Sequence, residues 1–406
     1  MQVLRDMFGA AVASASPSLC LPPHLPSPPK GRTIVVGAGK ASAEMARVLE
    51  DHYPAPVEGL VVTRYGHGAP TRSIEVAEAG HPVPDAAGEA AARRILALVA
   101  DLTADDLVIV LLSGGGSALL PVPAPGLTLA DKQGVTSALL RSGATITEIN
   151  CVRRHLSGIK GGRLAAAARP ARLVTLAISD VPGDDPLVIA SGPTVPDPTS
   201  FADALMVLDR YRVSVGPLVR ACLERGADRV LRTRGAYVLI ARPADVLRAA
   251  AGVAADAGYR PVILGDAIEG EAREVAKIHG ALALDFLARR ERVALISGGE
   301  LTVTMQGVGI GGPNHEYALA LMLACGGTPG LGGMACDTDG IDGVTNAAGA
   351  WFDGQTLASA RGLGLDPADV LRRNDVGAFF AALDRQLVTG PTRTNVNDFR
   401  AVLIDP

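Results

Sequence analysis

Short apolar runs alternate with amphipathic stretches along most of the chain, and that rhythm predicts strands and helices in turn. Residues 1–14 predict a helix with Leu4, Met7, Phe8 and Ala11 on one face, and the proline-rich 21–29 predicts an extended surface segment. Thr33-Ile34-Val35-Val36 reads as a strand that meets Gly37-Ala38-Gly39-Lys40 and then a helix over 41–50. A second strand follows at 59–63, a helix over 86–100, and a strand over 106–112 that runs into Ser113-Gly114-Gly115-Gly116-Ser117. A helix over 128–141, a strand over 172–178 ending in Ser179-Asp180, and helices over 201–211 and 216–225 come next. The later pattern predicts a strand at 238–240 that opens a second unit and a helix over 244–257. It also predicts strands at 262–264 and 293–296, an antiparallel partner over 301–305, and a helix over 317–324.

Strands apolar on both faces, alternating with helices, predict an α/β protein with mainly parallel sheets covered on both sides. There is no sustained internal repeat. The least patterned stretch, 226–236, sets a domain boundary and gives domains 1–230 and 231–406. Ligands of such folds bind beyond the carboxyl ends of the strands, where Gly, Ser, Asp, Glu and Lys cluster here.

The 406 residues suit two domains, and 48% hydrophobic residues suffice for sizeable cores. With only 3% aromatics, those cores are built from Ala, Val, Leu and Ile. A net charge of −4, no basic tract and few stacking aromatics argue against nucleic acid as a partner. The five scattered cysteines form no CxxC pair, which argues against a disulfide framework or a zinc site and for a reducing, cytoplasmic setting. No apolar run is long enough to span a bilayer, so no membrane role is expected. A homodimer is compatible with the sequence, which does not fix the assembly.

Among candidate chemistry, Asp337, Asp339 and Asp342 fall in one short stretch interleaved with Gly340 and Gly343. Carboxylates this close repel one another unless a cation sits among them, and a tight oxygen-rich turn suits Mg²⁺. The EF-hand pattern fails, because Ile341 and Ala348 stand where ligands are required. A solvated acidic turn is the plain alternative.

Gly37, Gly39 and Lys40 follow a strand and open a helix, a place where backbone N–H groups attract anions. The spacing is neither a Walker A loop nor a full dinucleotide fingerprint, since Ser42 replaces the third glycine. Ser113, Gly114, Gly115, Gly116 and Ser117 expose successive N–H groups to a phosphate; a ligand-free glycine hinge is the alternative. The run 148–163 holds Arg153, Arg154, Lys160 and Arg163, either a grip for a carboxylate or polyphosphate or a solvated basic helix. Asp180 at a strand end is a candidate base, while Asp184 and Asp185 suit turns. Asn314 or Glu316 caps a helix after the glycine-rich 307–312, and Arg393 among Thr394 and Asn395 suits an anion site.

Several segments together resemble the bacterial glycerate 2-kinases, a family formerly called hydroxypyruvate reductases. They are Val35 to Ala41, Leu112 to Ala118, Ile178 to Val181, Ala190 to Thr194, Ser297 to Glu300, Thr338 to Gly343 and Thr394 to Asp398. Each is weak alone; their joint order is specific and covers nearly the whole chain. The resemblance implies an N-terminal Rossmann-like glycerate-kinase domain, a C-terminal domain containing MOFRL at about 291–400, and an active-site cleft between them. It implies transfer of the γ-phosphate of ATP to the 2-hydroxyl of D-glycerate with Mg²⁺. On that reading Lys40, Asp180, Asp339 and Arg393 are catalytic. Gly37, Gly39, Ser113 to Ser117, Ser191, Gly192, Asn314, Thr394 and Asn395 bind ATP, and Glu300, Asp337 and Asp339 hold the metal.

The chain departs from the family at Gly311-Gly312-Pro313-Asn314-His315-Glu316, where members often carry Arg at the third position and Gln at the fifth. It carries Arg393 where many members have Gly, so Arg393 is expected to supply the missing cation; His315 either meets substrate or, the favoured reading, caps or packs. An NAD(P)H-dependent hydroxypyruvate reductase is the rival enzyme, supported by the Gly37/Gly39 turn and by Arg64. It is opposed by the missing third glycine and by the lack of an acid after the second strand. A non-catalytic small-anion binder is a third class.

Overall fold

The computed structural model describes residues 1–226 and 235–406 and divides into two compact units. One comprises Cys20–Ser179 and Asp184–Ile240; the other comprises Met1–Leu19, Asp180–Gly183 and Ala241–Pro406. The boundary expected at 230/231 lies outside the described residues. The division also differs from a single cut. The helix Gln2–Ser14 packs with the C-terminal unit, against the helix Pro243–Asp256, and Phe8 meets Phe399 with ring centroids 5.9 Å apart. Its predicted face of Leu4, Met7, Phe8 and Ala11 is the buried one.

In the N-terminal unit the strands are β1 (Thr33–Ala38), β2 (Glu58–Arg64), β3 (Ile74–Ala79), β4 (Leu107–Leu112), β5 (Arg172–Ile178) and β6 (Gly235–Ala241). They form one sheet in the order β3-β2-β1-β4-β5-β6, with β1 to β5 all parallel. β1 and β4 are buried along their full length, as expected of central strands covered on both faces. Each fully buried Val, Leu or Ile there contributes roughly 1.5–3 kcal/mol. The predicted strand at 238–240 belongs to β6 at the edge of this sheet, and so does not open the second unit. The proline-rich 21–29 contains one 3₁₀ turn, Pro22–His24.

In the C-terminal unit the strands are β7 (Arg260–Gly265), β8 (Gly270–Glu271), β9 (Val293–Ser297), β10 (Leu301–Thr302), β11 (Leu331–Asp337), β12 (Gly349–Phe352), β13 (Gln386–Leu387) and β14 (Asp398–Ile404). The main sheet runs β13-β12-β11-β14-β9-β7. Only β7 and β9 pair in parallel; β12–β13, β11–β12, β11–β14 and β14–β9 are antiparallel. The expectation of mainly parallel sheets therefore holds for the first sheet and fails for the second. β9, β12 and β14 are buried throughout, so their composition does not reveal strand direction. The segment expected as an antiparallel partner at 301–305 instead gives β10, which pairs in parallel with β8.

The helix Pro313–Ala324 is buried on nearly every side and anchors the second core with Tyr317, Leu319, Leu321 and Met322. Its one buried acid, Glu316, is held by Arg273 at 2.7 Å and by Asn374 Nδ2 at 2.9 Å. Among the described residues no helix is long and apolar enough to cross a membrane.

Candidate functional site

In the first sheet the chain leaves β1 toward β2 and β3, and leaves β4 in the other direction toward β5. Connections that diverge from neighbouring strands open a crevice at their carboxyl ends. The two glycine-bearing segments singled out from the sequence meet there. Lys40 N–H donates to Gly114 O at 2.8 Å, and Ala41 N–H donates to Ser113 Oγ at 2.9 Å.

Gly39 has φ +145, and a Cβ on it would lie 2.1 Å from Ser113 Oγ, so the close approach requires glycine. Gly115 has φ +80, and a Cβ there would lie 2.9 Å from His81 Nε2 and 3.4 Å from Lys40 Cγ. Lys40 and His81 thus flank one glycine. Among the described residues the N–H groups of Gly114 and Gly115 have no acceptor, whereas Gly116 N–H donates to Ser113 O. Two uncommitted N–H groups beside a lysine can receive an anion. Gly37 lies inside β1, where a Cβ would fall 2.1 Å from Leu111 O; strand packing sets that residue. His81 carried no sequence signal, because the mixed pattern of β3 before it does not stand out as a strand.

The basic run 148–163 is not a solvated face. Arg154 is buried and pairs with Asp197 at 2.7 Å, and Arg163 donates to the carbonyls of Arg154 and Lys160 at 3.0 and 2.9 Å. Arg153 and Lys160 both donate to Ser117, and Ser117 Oγ lies 2.8 Å from Ser191 Oγ. Ser191 and Ser117, named from separate stretches of sequence, are therefore neighbours. Gly192 follows in a left-handed turn with φ +61.

In the C-terminal unit the acidic turn and the segment 389–397 are laced together. Thr392 N–H donates to Asp339 O at 3.0 Å, Thr338 Oγ1 donates to Asn397 O at 2.6 Å, and Val396 N–H donates to Thr338 Oγ1 at 3.0 Å. Asn395 Nδ2 donates to Asp180 Oδ2 at 3.1 Å, which orients that carboxylate. Thr394 is buried and spends its hydroxyl on Ala15 O at 2.7 Å. Arg393 is exposed and has φ +61. This left-handed backbone is one that glycine adopts freely and a side chain does not.

The Asp342 carboxylate is committed to a helix start. It accepts from the N–H of Asn314 at 3.1 Å and of His315 at 2.9 Å, capping the buried helix Pro313–Ala324 from a neighbouring turn. Asn314 Nδ2 bridges Asp342 and Asp398 at 3.2 and 2.7 Å, while its Oδ1 is buried without a donor. Burial pushes the Asp398 carboxyl up to about 6, partly offset by the Arg400 guanidinium 3.0 Å away. No local motif marks this buried polar knot.

For a metal, the supply of ligands is limited. Asp337 Oδ1 accepts from Asp339 N–H at 2.8 Å, and Asp339 Oδ1, almost fully buried, accepts from Ile341 N–H at 2.9 Å. Glu300 is exposed. Among the described residues no three His, Cys, Asp or Glu side chains stand where they could hold a metal ion. The arrangement does not fit a closed protein cage. It fits Mg²⁺ taken by one or two carboxylates together with water and substrate oxygens.

A cavity of about 1040 Å³ in the N-terminal unit is lined by Leu127, His155, Arg163, Asp197, Phe201 and Cys222 among others; it takes in Arg163 of the basic run but none of the residues expected to be catalytic or to hold ATP or metal.

Comparison with known proteins finds two family models in the chain. DUF4147, described as a domain of unknown function, matches residues 3–224, and the MOFRL family matches residues 293–398. A protein of Agrobacterium vitis provisionally named hydroxypyruvate reductase is 50% identical over 412 residues, covering 99% of this chain and 94% of its own. The D-glycerate 2-kinase of Thermotoga maritima is 41% identical over 350 residues, covering 85% of this chain and 84% of its own. A crystal structure of glycerate kinase from Thermotoga maritima matches with a TM-score of 0.91 at 38% identity, covering 99% of both chains.

Proposed function

The chain belongs to the glycerate 2-kinase family, in which a DUF4147 domain precedes a MOFRL domain, and from that membership we propose that it transfers the γ-phosphate of ATP to the 2-hydroxyl of D-glycerate. The observation that carries this reading is the crevice at β1 and β4. There Lys40 stands beside the uncommitted N–H groups of Gly114 and Gly115. Phosphoryl transfer needs positioning and charge neutralisation more than covalent chemistry, and a lysine over free backbone donors supplies both.

In this scheme Lys40 stabilises charge on the transferred group and the 113–117 segment cradles an anionic group of ATP or glycerate. Asp180, oriented by Asn395, accepts the proton of the glycerate hydroxyl, and Asp339 is the alternative base. Arg393 adds a cation where the family arginine is replaced by Pro313. Bound Mg²⁺ would neutralise phosphate charge, with Asp337, Asp339 and Glu300 as the carboxylates that could hold it.

The reductase reading has two points in its favour: the name carried by the Agrobacterium vitis relative, and a strand order shared with dinucleotide-binding sheets. It lacks the third glycine after β1 and any acid at the end of β2, which closes on Thr63 and Arg64. Parallel assays separate the two. D-Glycerate with Mg-ATP should yield ADP, and hydroxypyruvate with NADH should leave the NADH unoxidised; the reverse pattern would overturn the kinase reading.

A further inference from the structure

Three basic side chains of the N-terminal unit lie close together, and Glu89 is near enough to act on Lys132 without pairing with it. Lys160 is 1% exposed; its ammonium donates to Ser117 O at 2.7 Å and to Ser117 Oγ at 3.3 Å. Arg153 Nη2 donates to the same Oγ at 2.6 Å, and Nη1 donates to Asn150 Oδ1 at 3.3 Å. Lys132, also buried, donates to Pro121 O and Val122 O at 3.0 and 3.1 Å. None of the three has an ion-pair partner among the described residues. Buried cations without anions oppose folding, and each raises the cost of its neighbours. An anion from outside the chain would offset that cost.

The hydroxyls between these cations show where it would bind. Ser117 Oγ has two lone pairs, and Arg153 and Lys160 use both. Its hydrogen therefore goes to Ser191 Oγ, 2.8 Å away. Ser191, 1% exposed, is left with its own O–H to donate and no acceptor among the described residues. Its backbone is held in an uncommon state. Ala190, Ser191 and Gly192 have φ of +52, +60 and +61, two of them non-glycine residues in the left-handed region. Such backbone persists where its surroundings demand it, and it clusters at ligand sites.

We infer that Arg153, Lys160 and Ser191, held together by Ser117, form a carboxylate-binding site for the acceptor acid, which makes the enzyme selective for short 2-hydroxy acids. The assignment rests on the kinase reading. Depth favours a carboxylate over the ATP phosphates. Lys160 and Ser191 are buried and Arg153 and Ser117 half-buried, so a small end group suits this position better than a polyphosphate does. The more open Lys40 and Gly115 suit a polyphosphate. Glycerol, which offers hydroxyls without a carboxylate, should then be neither substrate nor inhibitor.

The test compares wild type with Arg153→Gln and Ser191→Ala in steady-state assays with D-glycerate and Mg-ATP. KM for glycerate should rise at least tenfold in Arg153→Gln and severalfold in Ser191→Ala, while KM for ATP stays within twofold. Ser191→Ala removes one hydroxyl only and guards against a folding artefact. A rise in KM for ATP with KM for glycerate unchanged would overturn the inference, as would no change in either. Calorimetric titration with D-glycerate, glycerol and inorganic phosphate distinguishes this failure from failure of the kinase reading. Glycerate binding that weakens at least tenfold in Arg153→Gln supports the site even if wild type transfers no phosphate. Tighter binding of inorganic phosphate than of glycerate, lost in the same variant, would overturn it.

Discussion

Nδ1 of His315 lies 2.5 Å from Oδ2 of Asp342, and both side chains are sealed from solvent. Asp342 also caps the helix that His315 helps to begin. Removing the carboxylate leaves the buried N–H groups of Asn314 and His315 without an acceptor, at about 1–3 kcal/mol for each unpaired group. Asp342→Ala should therefore lower the unfolding free energy by about 3 kcal/mol in denaturant titration. His315→Gln, which restores the residue common in the family and keeps an amide donor, should cost less than about half of that.

Arg393 holds a left-handed backbone that costs an ordinary residue about 1–2 kcal/mol. Arg393→Gly should stabilise the protein by about 1 kcal/mol. If the side chain supplies the cation missing at Pro313, both Arg393→Gly and Arg393→Ala should lower kcat/KM well beyond twofold. Values within about twofold of wild type would rule that role out.

Lys40 offers a sharper loss. Lys40→Ala should reduce kcat/KM by about 100-fold or more, with circular dichroism and Tm close to wild type, because the side chain is half-buried at the mouth of a crevice. Wild-type kinetics would remove Lys40 from the scheme.

Lys132 predicts a pH dependence of stability. Burial lowers its ammonium to about 7, with Arg153 adding to the shift, against about 10.4 in an unfolded chain. Between those values the folded protein binds fewer protons than the unfolded one, so stability rises with pH across that window and is flat below it. Lys132→Met should flatten the rise in denaturant midpoints between about pH 7.5 and 9.5. An unchanged slope would place the titrating group elsewhere.

The first sheet was legible because β1 and β4 are uninterrupted apolar runs, each followed by glycines that mark the turn. The second sheet was not. β11 carries Gly332 and Gly333, which read as loop, and a strand covered on both faces looks the same in either direction. In the site, Lys40 and the 113–117 segment announced themselves by position after a strand. The run containing Arg153 and Lys160 could be read either way until burial decided it. His81 reaches Gly115 from a stretch with no motif, and Asp342 turned from a candidate metal carboxylate into a cap through a contact between segments 27 residues apart. Such pairings depend on tertiary approach, which local sequence does not encode.

The most direct measurement follows label from γ-labelled ATP in a mixture of the purified protein, Mg²⁺ and D-glycerate, with the product identified by phosphorus NMR. The account predicts stoichiometric transfer to the 2-hydroxyl, with one ADP formed per 2-phosphoglycerate. Label on the 3-hydroxyl, or no transfer at all while NADH is consumed with hydroxypyruvate, would contradict it.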